Sequence, residues 1–387
     1  MISLKRGVKI VLMKKIFKII LIFFITVFFF DLSTFFLFDK VVQKLVPSYK
    51  NSNEGRAYPQ YHFIKHKTRG FDINSNFESV TSNKPVEAGT YKVWGNEIGC
   101  FDESIDRIKK NPLKKTIYLA GDSYTWGYAP FDKKFGYLIE KKLNYHVIKC
   151  GVTHTGQLHQ FKKFKEIYDM GYKPDIVIIN ITGNDVNNDF FFPHSTVIDG
   201  WMIEDVKWCL RENELYWKKI EHNKLHQQYM SYKYGEEFSF EKIKRLIKYY
   251  SASSVLTYVF TVKILKKNNI KNNKKKCNFR KEIYEFEDFE YNSSKFSLAN
   301  RKIIKKWIED SKKNNYKIYF SIIGKSYQHY NQKKTFIASL GGDIIDFNEW
   351  IKEKKLKYKE LLWKYDGHFN IKGNEEYSKF LINKAEL

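Results

Sequence analysis

From Thr116 onward, short apolar runs of strand length alternate with segments that are long enough to form helices. The apolar runs are Thr116–Ala120, His146–Cys150, Asp175–Ile181, Lys317–Ile323 and Asp343–Phe347. The helix candidates are Phe135–Leu143, Leu158–Met170, Leu298–Asn314 and Asn374–Ala385. Strands that alternate with helices form βαβ units, in which neighbouring strands run parallel. The chain is therefore predicted to be an α/β protein with a mostly parallel sheet.

A segment of about 110 residues, roughly 190–297, does not follow this alternation and is predicted to be a helical, basic insertion. It contains an amphipathic stretch, Phe240–Leu265, and then the basic run Lys266–Lys276, which has no acidic residue. A run of this kind is either a solvated loop or a contact surface for anionic lipid or glycan.

The composition excludes several classes of protein. Hydrophobic residues make up 43% and aromatic residues 17% of the 387 residues, so the chain can bury a sizeable core and is not disordered throughout. Its four cysteines have no C-x-x-C spacing, which excludes a disulfide scaffold and a zinc ribbon. The formal net charge of +25 favours anionic partners such as phospholipid headgroups or acidic polysaccharide. Nucleic acid is disfavoured because no reader motif is present.

The N-terminus predicts a membrane anchor. Residues 1–18 carry six cations and no acid, and the apolar stretch Ile19–Phe38 follows. As a helix this stretch would be about 30 Å long, which matches the hydrocarbon core of a bilayer. The positive flank is expected to stay in the cytoplasm, so the protein is predicted to be single-pass with its folded part outside. A cleaved signal peptide is the alternative, but no A-x-A-like site follows.

Gly121-Asp122-Ser123 stands where the first strand ends and a helix-like stretch begins. In an open parallel sheet, ligands bind at the carboxyl ends of the strands, and a helix N-terminus there offers N–H donors to an oxyanion. Ser123 is therefore a candidate nucleophile. By itself the tripeptide is a weak signal, because Asp as a helix N-cap produces the same letters.

Three further features follow later strands. Gly151 ends the second strand, where its amide can approach a substrate oxygen, and Asn184 follows the third strand with a side-chain amide. Near the C-terminus, His368 precedes the final helix and Asp366 stands two residues before it. A histidine can act as a general base toward a serine while a carboxylate orients its ring. Turn residues and surface pairs explain each feature singly, but not all of them in this order.

With these residues in place, the sequence resembles the SGNH, or GDSL, hydrolase superfamily. Gly121-Asp122-Ser123 matches its first block, Gly151 its second, Gly183-Asn184-Asp185 its third, and Asp366-Gly367-His368 its last. Asn96-Glu-Ile-Gly-Cys-Phe-Asp102 also resembles the lead-in of many anchored members. The family commonly has Asp-x-x-His, but here Tyr365 stands three residues before His368. The Asp-x-His spacing resembles the exopolysaccharide O-acetyltransferase branch. Lys149-Cys150 also stands where an Asn often precedes the second-block glycine.

The resemblance implies a three-layer α/β/α flavodoxin-like fold with a five-stranded parallel sheet, preceded by the transmembrane helix. It implies Ser123 as nucleophile, His368 as base and Asp366 as its orienter. Ser123 N–H, Gly151 N–H and Asn184 would form the oxyanion hole. The predicted organisation is a cytoplasmic tail at 1–18, an anchor at 19–38, a stalk and lead-in at 39–95, and the SGNH-like domain at 96–387.

The remaining prominent residues have weaker predicted roles. Tyr124 and Trp126 are expected to pack in the core, and His154 and His159 to be polar surface or supporting residues. Phe190–Pro193 and His194 either line an acyl pocket or form a hinge without chemistry. No metal and no cofactor is expected, because no cluster has metal-ligand spacing. Cys100 and Cys150 can pair if the fold brings them together.

Three functions remain in view. The leading one is a membrane-anchored serine esterase or acyl-transfer enzyme acting on O-acyl groups of cell-envelope carbohydrate. A lipase or phospholipase-like esterase is the second, favoured by the aromatic content and the basic insertion. The third is a non-catalytic binding or assembly protein that keeps the fold.

Overall fold

The computed structural model describes residues 15–32, 63–75, 78–82, 85–185, 188–189, 195–198, 200–204, 206–211, 214–219, 285–286, 289–290, 293–324, 330–364 and 366–387. Residues 15–32, a helix, belong to a different compact unit from the rest of the described chain. That helix overlaps the predicted anchor 19–38, of which residues 33–38 lie outside the described residues. Among the described residues, none of the helices combines the length and the apolar character needed to cross a membrane.

The second unit contains all the described strands and the other described helices. The strands are β1 (Phe63–His66), β2 (Gly70–Ile73), β3 (Val80–Ser82), β4 (Tyr91–Val93), β5 (Thr116–Gly121), β6 (His146–Gly151), β7 (Ile176–Ile181), β8 (Ser195–Ile198), β9 (Trp201–Glu204), β10 (Val206–Arg211), β11 (Glu214–Lys219), β12 (Glu285–Phe286), β13 (Phe289–Glu290), β14 (Lys317–Ile322) and β15 (Asp343–Asp346). With residues 15–32 as α1, the helices are α2 (Asp106–Lys110), α3 (Ser123–Trp126), α4 (Phe135–Leu143), α5 (Gln157–Asp169), α6 (Ser293–Asn314), α7 (Tyr330–Ser339), α8 (Phe347–Glu353) and α9 (Ile371–Lys384). Short 3-10 turns occupy Val86–Ala88, Phe131–Lys133 and Tyr358–Leu361.

The central sheet has five parallel strands in the order β15-β14-β7-β5-β6. Read from the other edge, the second strand along the chain is followed by the first, third, fourth and fifth, which is the flavodoxin-like order. The predicted α/β fold with a five-stranded parallel sheet is confirmed. Each of the five predicted strands agrees with the structure within one residue at either end, because strands buried on both faces are almost continuously apolar.

Helices cover both faces of this sheet. On one face, Phe164 of α5 and Trp307 of α6 pack against Tyr118 of β5 and its neighbours. On the other, Phe135 of α4 and Tyr377 of α9 pack against strand residues that point the opposite way. Successive side chains of a strand face opposite sides, so one apolar strand serves both cores. The result is the three-layer α/β/α arrangement.

The described part of the predicted stalk and lead-in, 39–95, contains two antiparallel hairpins. β1 pairs with β2 and β3 with β4, both antiparallel. Phe63, Phe71 and Val93 of these hairpins are buried in one cluster with Trp126 and Tyr128. These strands are only three or four residues long, too short to show a clear alternation in the sequence.

The predicted helical insertion at 190–297 also differs from the described part of that segment. β8 pairs with β9, β10 with β11 and β12 with β13, so the described residues before α6 form three antiparallel hairpins. Helix α6 begins at Ser293, inside the predicted insertion. The amphipathic stretch Phe240–Leu265 and the basic run Lys266–Lys276 lie outside the described residues, so their predicted roles stay predictions.

Candidate active site

Ser123 follows the carboxyl end of strand β5 in the central sheet and is the first residue of α3. Asp122, between strand and helix, is the helix N-cap, and its side chain accepts a hydrogen bond from Tyr124 N at 3.0 Å. The Ser123 side chain is nearly buried, with 9% exposure. The strand-to-helix turn therefore presents the hydroxyl where ligands bind in folds of this order.

His368 lies 245 residues away in sequence and contacts this hydroxyl. Its Nε2 is 2.8 Å from Ser123 Oγ. Its Nδ1 is hydrogen-bonded to Asp366 Oδ1, and the backbone N–H of His368 donates to the same oxygen at 3.3 Å. The Asp-x-His spacing therefore brings the carboxylate to the ring nitrogen that faces away from Ser123. The structure brings together the three residues that the sequence nominated.

Aromatic side chains hold the His368 loop, which sequence reasoning missed. Tyr124, which was expected in the core, packs against it, and its hydroxyl also donates to the Gly367 carbonyl at 2.8 Å. Its ring centroid lies 4.9 Å from that of His368. The Tyr128 ring centroid lies 4.6 Å from that of the imidazole. Trp363 joins the two, because its backbone N–H donates to His368 O and its indole N–H to Tyr128 O. The imidazole is thus in contact with two aromatic rings that limit its rotation.

Asn184 lies at the same edge of the sheet as Ser123 and is connected to Asp122 through Thr182. Thr182, the residue after β7, places its hydroxyl 2.6 Å from Asn184 Oδ1 and 2.8 Å from Asp122 Oδ2. Burial raises the pKa of Asp122, although the hydrogen bond from the Tyr124 N–H favours its charged form. Burial and the nearby Asp122 charge also raise the pKa of Asp185, which accepts from Thr182 N at 2.8 Å. The turn after β7 is therefore tied to the turn that carries Ser123.

Gly151, the third oxyanion-hole prediction, ends β6 and pairs with Gly121 of β5. A Cβ atom at residue 151 would lie 2.2 Å from Trp126 N and 2.4 Å from Thr125 C. Only glycine fits so close to the backbone of α3. The close approach of β6 to α3 places the Gly151 backbone beside the helix that carries Ser123.

The residues before Gly151 are anchored to the lead-in motif. Cys150 forms a disulfide with Cys100, with the two Cα atoms 4.8 Å apart. Lys149 donates from Nζ to Asp102 Oδ1 at 2.7 Å and from its backbone N–H to Oδ2 at 3.1 Å. Burial opposes ionisation of Asp102, but the charges of Lys149 and Arg107 outweigh it and lower its pKa. Lys149 is thus fixed to the lead-in motif by a buried ion pair.

One group of three carboxylates, Asp102, Glu103 and Glu140, lies close enough together within the described residues to suggest a cation site. Lys149 and Arg107 both form ion pairs with Asp102 and Glu140. These two side chains already supply the positive charge that a metal ion would bring.

His154 and His159, the two histidines predicted to be surface or supporting residues, differ in burial. His154 is exposed, as expected, with a backbone φ of 60° in the left-handed region. His159 is fully buried rather than on the surface, and its Nε2 lies 2.7 Å from Phe71 O. Burial lowers the pKa of His159 to about 3, so it is neutral and structural. Phe190–Pro193 and His194 lie outside the described residues.

The contacts define what the site can do chemically. A serine hydroxyl within reach of an imidazole, whose other nitrogen meets a carboxylate, has the arrangement of an activated nucleophile. Solved structures similar to this chain include a lipolytic protein of the G-D-S-L family and an SGNH-hydrolase family esterase.

One similar structure is described as a lipolytic protein of the G-D-S-L family from Desulfitobacterium hafniense DCB-2. It has 10% identity, a TM-score of 0.35, and coverage of 69% of this chain and 99% of that one. AlinE4, an SGNH-hydrolase family esterase, has 11% identity, a TM-score of 0.32, and coverage of 70% and 95%. An acetyl xylan esterase from the rumen bacterium Butyrivibrio proteoclasticus has 11% identity, a TM-score of 0.30, and coverage of 70% and 64%. No protein-family model and no curated protein matches this chain.

Proposed function

We propose that this protein is an SGNH-type serine esterase or acyl-transfer enzyme that acts on O-acyl groups of cell-envelope carbohydrate. The observation that carries the proposal is the chain of contacts from Ser123 Oγ through His368 to Asp366. Ser123 lies far from His368 and Asp366 in sequence, but the three residues meet in space. They lie at the edge of the sheet where ligands bind in this fold.

In the proposed reaction, His368 Nε2 removes the Ser123 proton as Oγ attacks the ester carbonyl carbon. Asp366 holds the ring and stabilises the imidazolium that forms. The tetrahedral intermediate collapses, and His368 returns the proton to the departing alcohol oxygen. Water or a sugar hydroxyl then attacks the acyl-serine, with His368 again accepting the proton, and Ser123 is regenerated.

The developing oxyanion is proposed to receive hydrogen bonds from Ser123 N–H, Gly151 N–H and the Asn184 side-chain amide. The positions of the three residues around the first turn of α3 support this role. Donors that are fixed before the reaction stabilise the negative charge without reorganising during it.

The proposed substrate class is supported by charge. With a net charge of +25, the protein favours anionic polymers such as acidic envelope polysaccharide over neutral ones. A lipase or phospholipase-like activity is the alternative. Chain-length preference separates the two: activity confined to acetyl esters supports the carbohydrate substrate, and a preference for octanoyl or longer esters supports the lipid one.

We also propose that the folded domain lies outside the cytoplasm, held by the N-terminal segment. The Cys100–Cys150 disulfide supports this location, because disulfides persist in oxidising compartments. Protease added to intact cells that express the full chain should degrade the domain. Protection of the domain until the cells are lysed would contradict the location.

Covalent labelling tests the catalytic proposal. The full-length chain should react with a fluorophosphonate probe and hydrolyse p-nitrophenyl acetate, and Ser123→Ala should abolish both. Ser339→Ala, which changes an exposed serine of α7, is the matched control and should behave as the wild type. Labelling that persists in Ser123→Ala, or its absence in the wild type, would favour the non-catalytic alternative.

The substrate proposal needs its own measurement. Envelope polysaccharide incubated with the full chain should lose mass in steps of an acetyl group, or gain them when an acyl donor is added. The Ser123→Ala variant serves as the control. An unchanged mass under both conditions would contradict carbohydrate as the substrate while leaving esterase activity intact.

A further inference from the structure

Thr182 occupies a position between the nucleophile turn and the Asn184 amide that the proposed mechanism does not yet use. It follows β7 directly, and its side chain is buried with 3% exposure. Its hydroxyl lies 2.6 Å from Asn184 Oδ1, 2.8 Å from Asp122 Oδ2 and 3.4 Å from Asp185 Oδ1. A hydroxyl has a single proton to donate, and the shortest of these contacts is the one to the Asn184 amide oxygen.

The amide group of Asn184 is planar, so a contact that fixes Oδ1 also fixes the direction of Nδ2. Thr182 therefore constrains the amide group through Oδ1. An amide nitrogen carries two protons, and the contact at Oδ1 leaves both of them able to donate to a ligand.

We propose that Thr182 is a positioning residue that holds the Asn184 amide so that an N–H of Nδ2 points toward the acyl oxygen bound at Ser123. Asp122 completes the unit, because its carboxyl lies beside the Thr182 hydroxyl and also caps the helix whose first residue is Ser123. One buried hydroxyl thus contacts both the residue that caps the nucleophile's helix and the oxyanion donor, and so fixes their relative positions. This inference rests on the proposed function and adds a residue that acts on the transition state through Asn184.

The test compares Thr182→Val, which keeps the shape and removes the hydroxyl, with Thr182→Ser, which keeps the hydroxyl. Both are measured in the full-length chain with p-nitrophenyl acetate. Thr182→Val should lower kcat by about 10- to 100-fold, the scale of one buried hydrogen bond left unmade, and change KM by less than about twofold. Thr182→Ser should stay within about threefold of the wild type.

A double-mutant cycle shows whether Thr182 acts through Asn184. In an Asn184→Ala background the amide is gone, so Thr182→Val should lower kcat by less than about a further twofold. An equal loss in both backgrounds would overturn the proposal, since it would show a general effect on the fold. Wild-type kcat in Thr182→Val, or an equal loss in Thr182→Ser, would overturn it too.

Folding and function are kept apart by two further measurements. If Thr182→Val does not fold, Thr182→Ala replaces it, and failure of both to fold would overturn a role specific to Asn184. The wild type reports on the proposed function itself. No ester turnover and no Ser123-dependent labelling would reject the esterase, whereas an active wild type with an indifferent Thr182→Val rejects only the role of Thr182.

Discussion

A serine hydroxyl is a weak nucleophile at neutral pH and needs a base within hydrogen-bond reach. At Ser123 that base is His368, and the carboxylate of Asp366 fixes which ring nitrogen carries the proton. Tyr124 and Tyr128 pack against the same imidazole. The orientation of the base is therefore set by one charged contact and two apolar ones.

Asp366→Asn tests the charged contact at the residue scale. An amide in this position can hold His368 in the wrong tautomer, with the proton on Nε2, so kcat for acetyl esters should fall by about 10³- to 10⁴-fold. Asp132→Asn, at an exposed site in the turn before α4, is the matched control and should leave kcat unchanged. Turnover of Asp366→Asn within twofold of the wild type would remove Asp366 from the catalytic machinery.

Asn184→Ala tests the oxyanion donor. Loss of one such donor costs roughly 2.7–4 kcal/mol in the transition state, so kcat should fall by about 10²- to 10³-fold with little change in KM. Steady-state kinetics on p-nitrophenyl acetate measure the change, with the exposed Asn111→Ala as the control. If kcat is unchanged, Asn184 does not contact the oxyanion.

At the scale of elements, the lead-in hairpins and the sheet edge support the site from one side. Trp126 of α3 is buried with Phe71 and Val93 of the hairpins. The Cys100–Cys150 disulfide joins the lead-in motif, Asn96–Asp102, covalently to the end of β6, directly before Gly151. The N-terminal elements therefore position the backbone that lines the site, although they contribute none of the predicted catalytic groups.

Replacing both cysteines, Cys100→Ala with Cys150→Ala, should destabilise the domain. The bridge spans 50 residues, and in the chain-entropy account a loop of that size contributes about 4 kcal/mol to the free energy of unfolding. Guanidinium unfolding with and without reductant measures this. Reductant should lower the midpoint of the wild type and not that of the double variant. Equal midpoints for wild type and variant without reductant would contradict a structural role for the bridge.

At the scale of the whole molecule, buried ion pairs connect the lead-in to the helices that cover the sheet. Asp72 of β2 contacts Lys163 of α5 at 2.6 Å and Arg69 at 2.5 Å, and all three side chains are buried. Burial opposes ionisation of Asp72, but the two cations outweigh it and lower its pKa to about 2. The ion pair between Asp72 and Lys163 joins β2 to α5, although the two residues are 91 apart in sequence.

The pH dependence of the protein's stability follows from the lowered pKa of Asp72. Because the pKa of Asp72 in the folded protein lies below its ordinary value of 3.8, its contribution to stability is present above about pH 4 and is lost as pH falls toward 2. Its size is on the order of 2 kcal/mol. Asp72→Asn should destabilise the protein at pH 7 by about 3–5 kcal/mol, since Lys163 stays buried without its partner charge.

Denaturant unfolding at several pH values checks both statements. The difference in unfolding free energy between the wild type and Asp72→Asn should shrink from pH 4 to pH 2. The exposed Asp169→Asn on the same helix α5 as Lys163 is the matched control and should follow the wild type. A difference that stays constant over this range would show that Asp72 does not titrate there.

The central sheet and the set of candidate residues were predictable from the sequence because both depend on local patterns. Buried strands are apolar along their length, so their positions were read within one residue, and residues that follow parallel strands meet at one edge. Ser123, Gly151 and Asn184 were nominated on that ground. His368 and Asp366 were predicted as site residues because they precede the last helix and because the sequence resembles a known family.

The remaining features depend on contacts between residues far apart in sequence. The hairpins β1–β4 are too short to carry a period, and they are held by packing against Trp126 and Tyr128. The clamp of Tyr124 on Gly367 spans 243 residues, and the Thr182 contact with Asp122 spans 60. A tyrosine or threonine in these places looks the same in sequence whether or not it has such a partner. The pattern of residues along the chain thus determined the strands and indicated the reactive groups. The tertiary structure alone decided how those groups are held, because only folding brings the residues that contact them within hydrogen-bond distance.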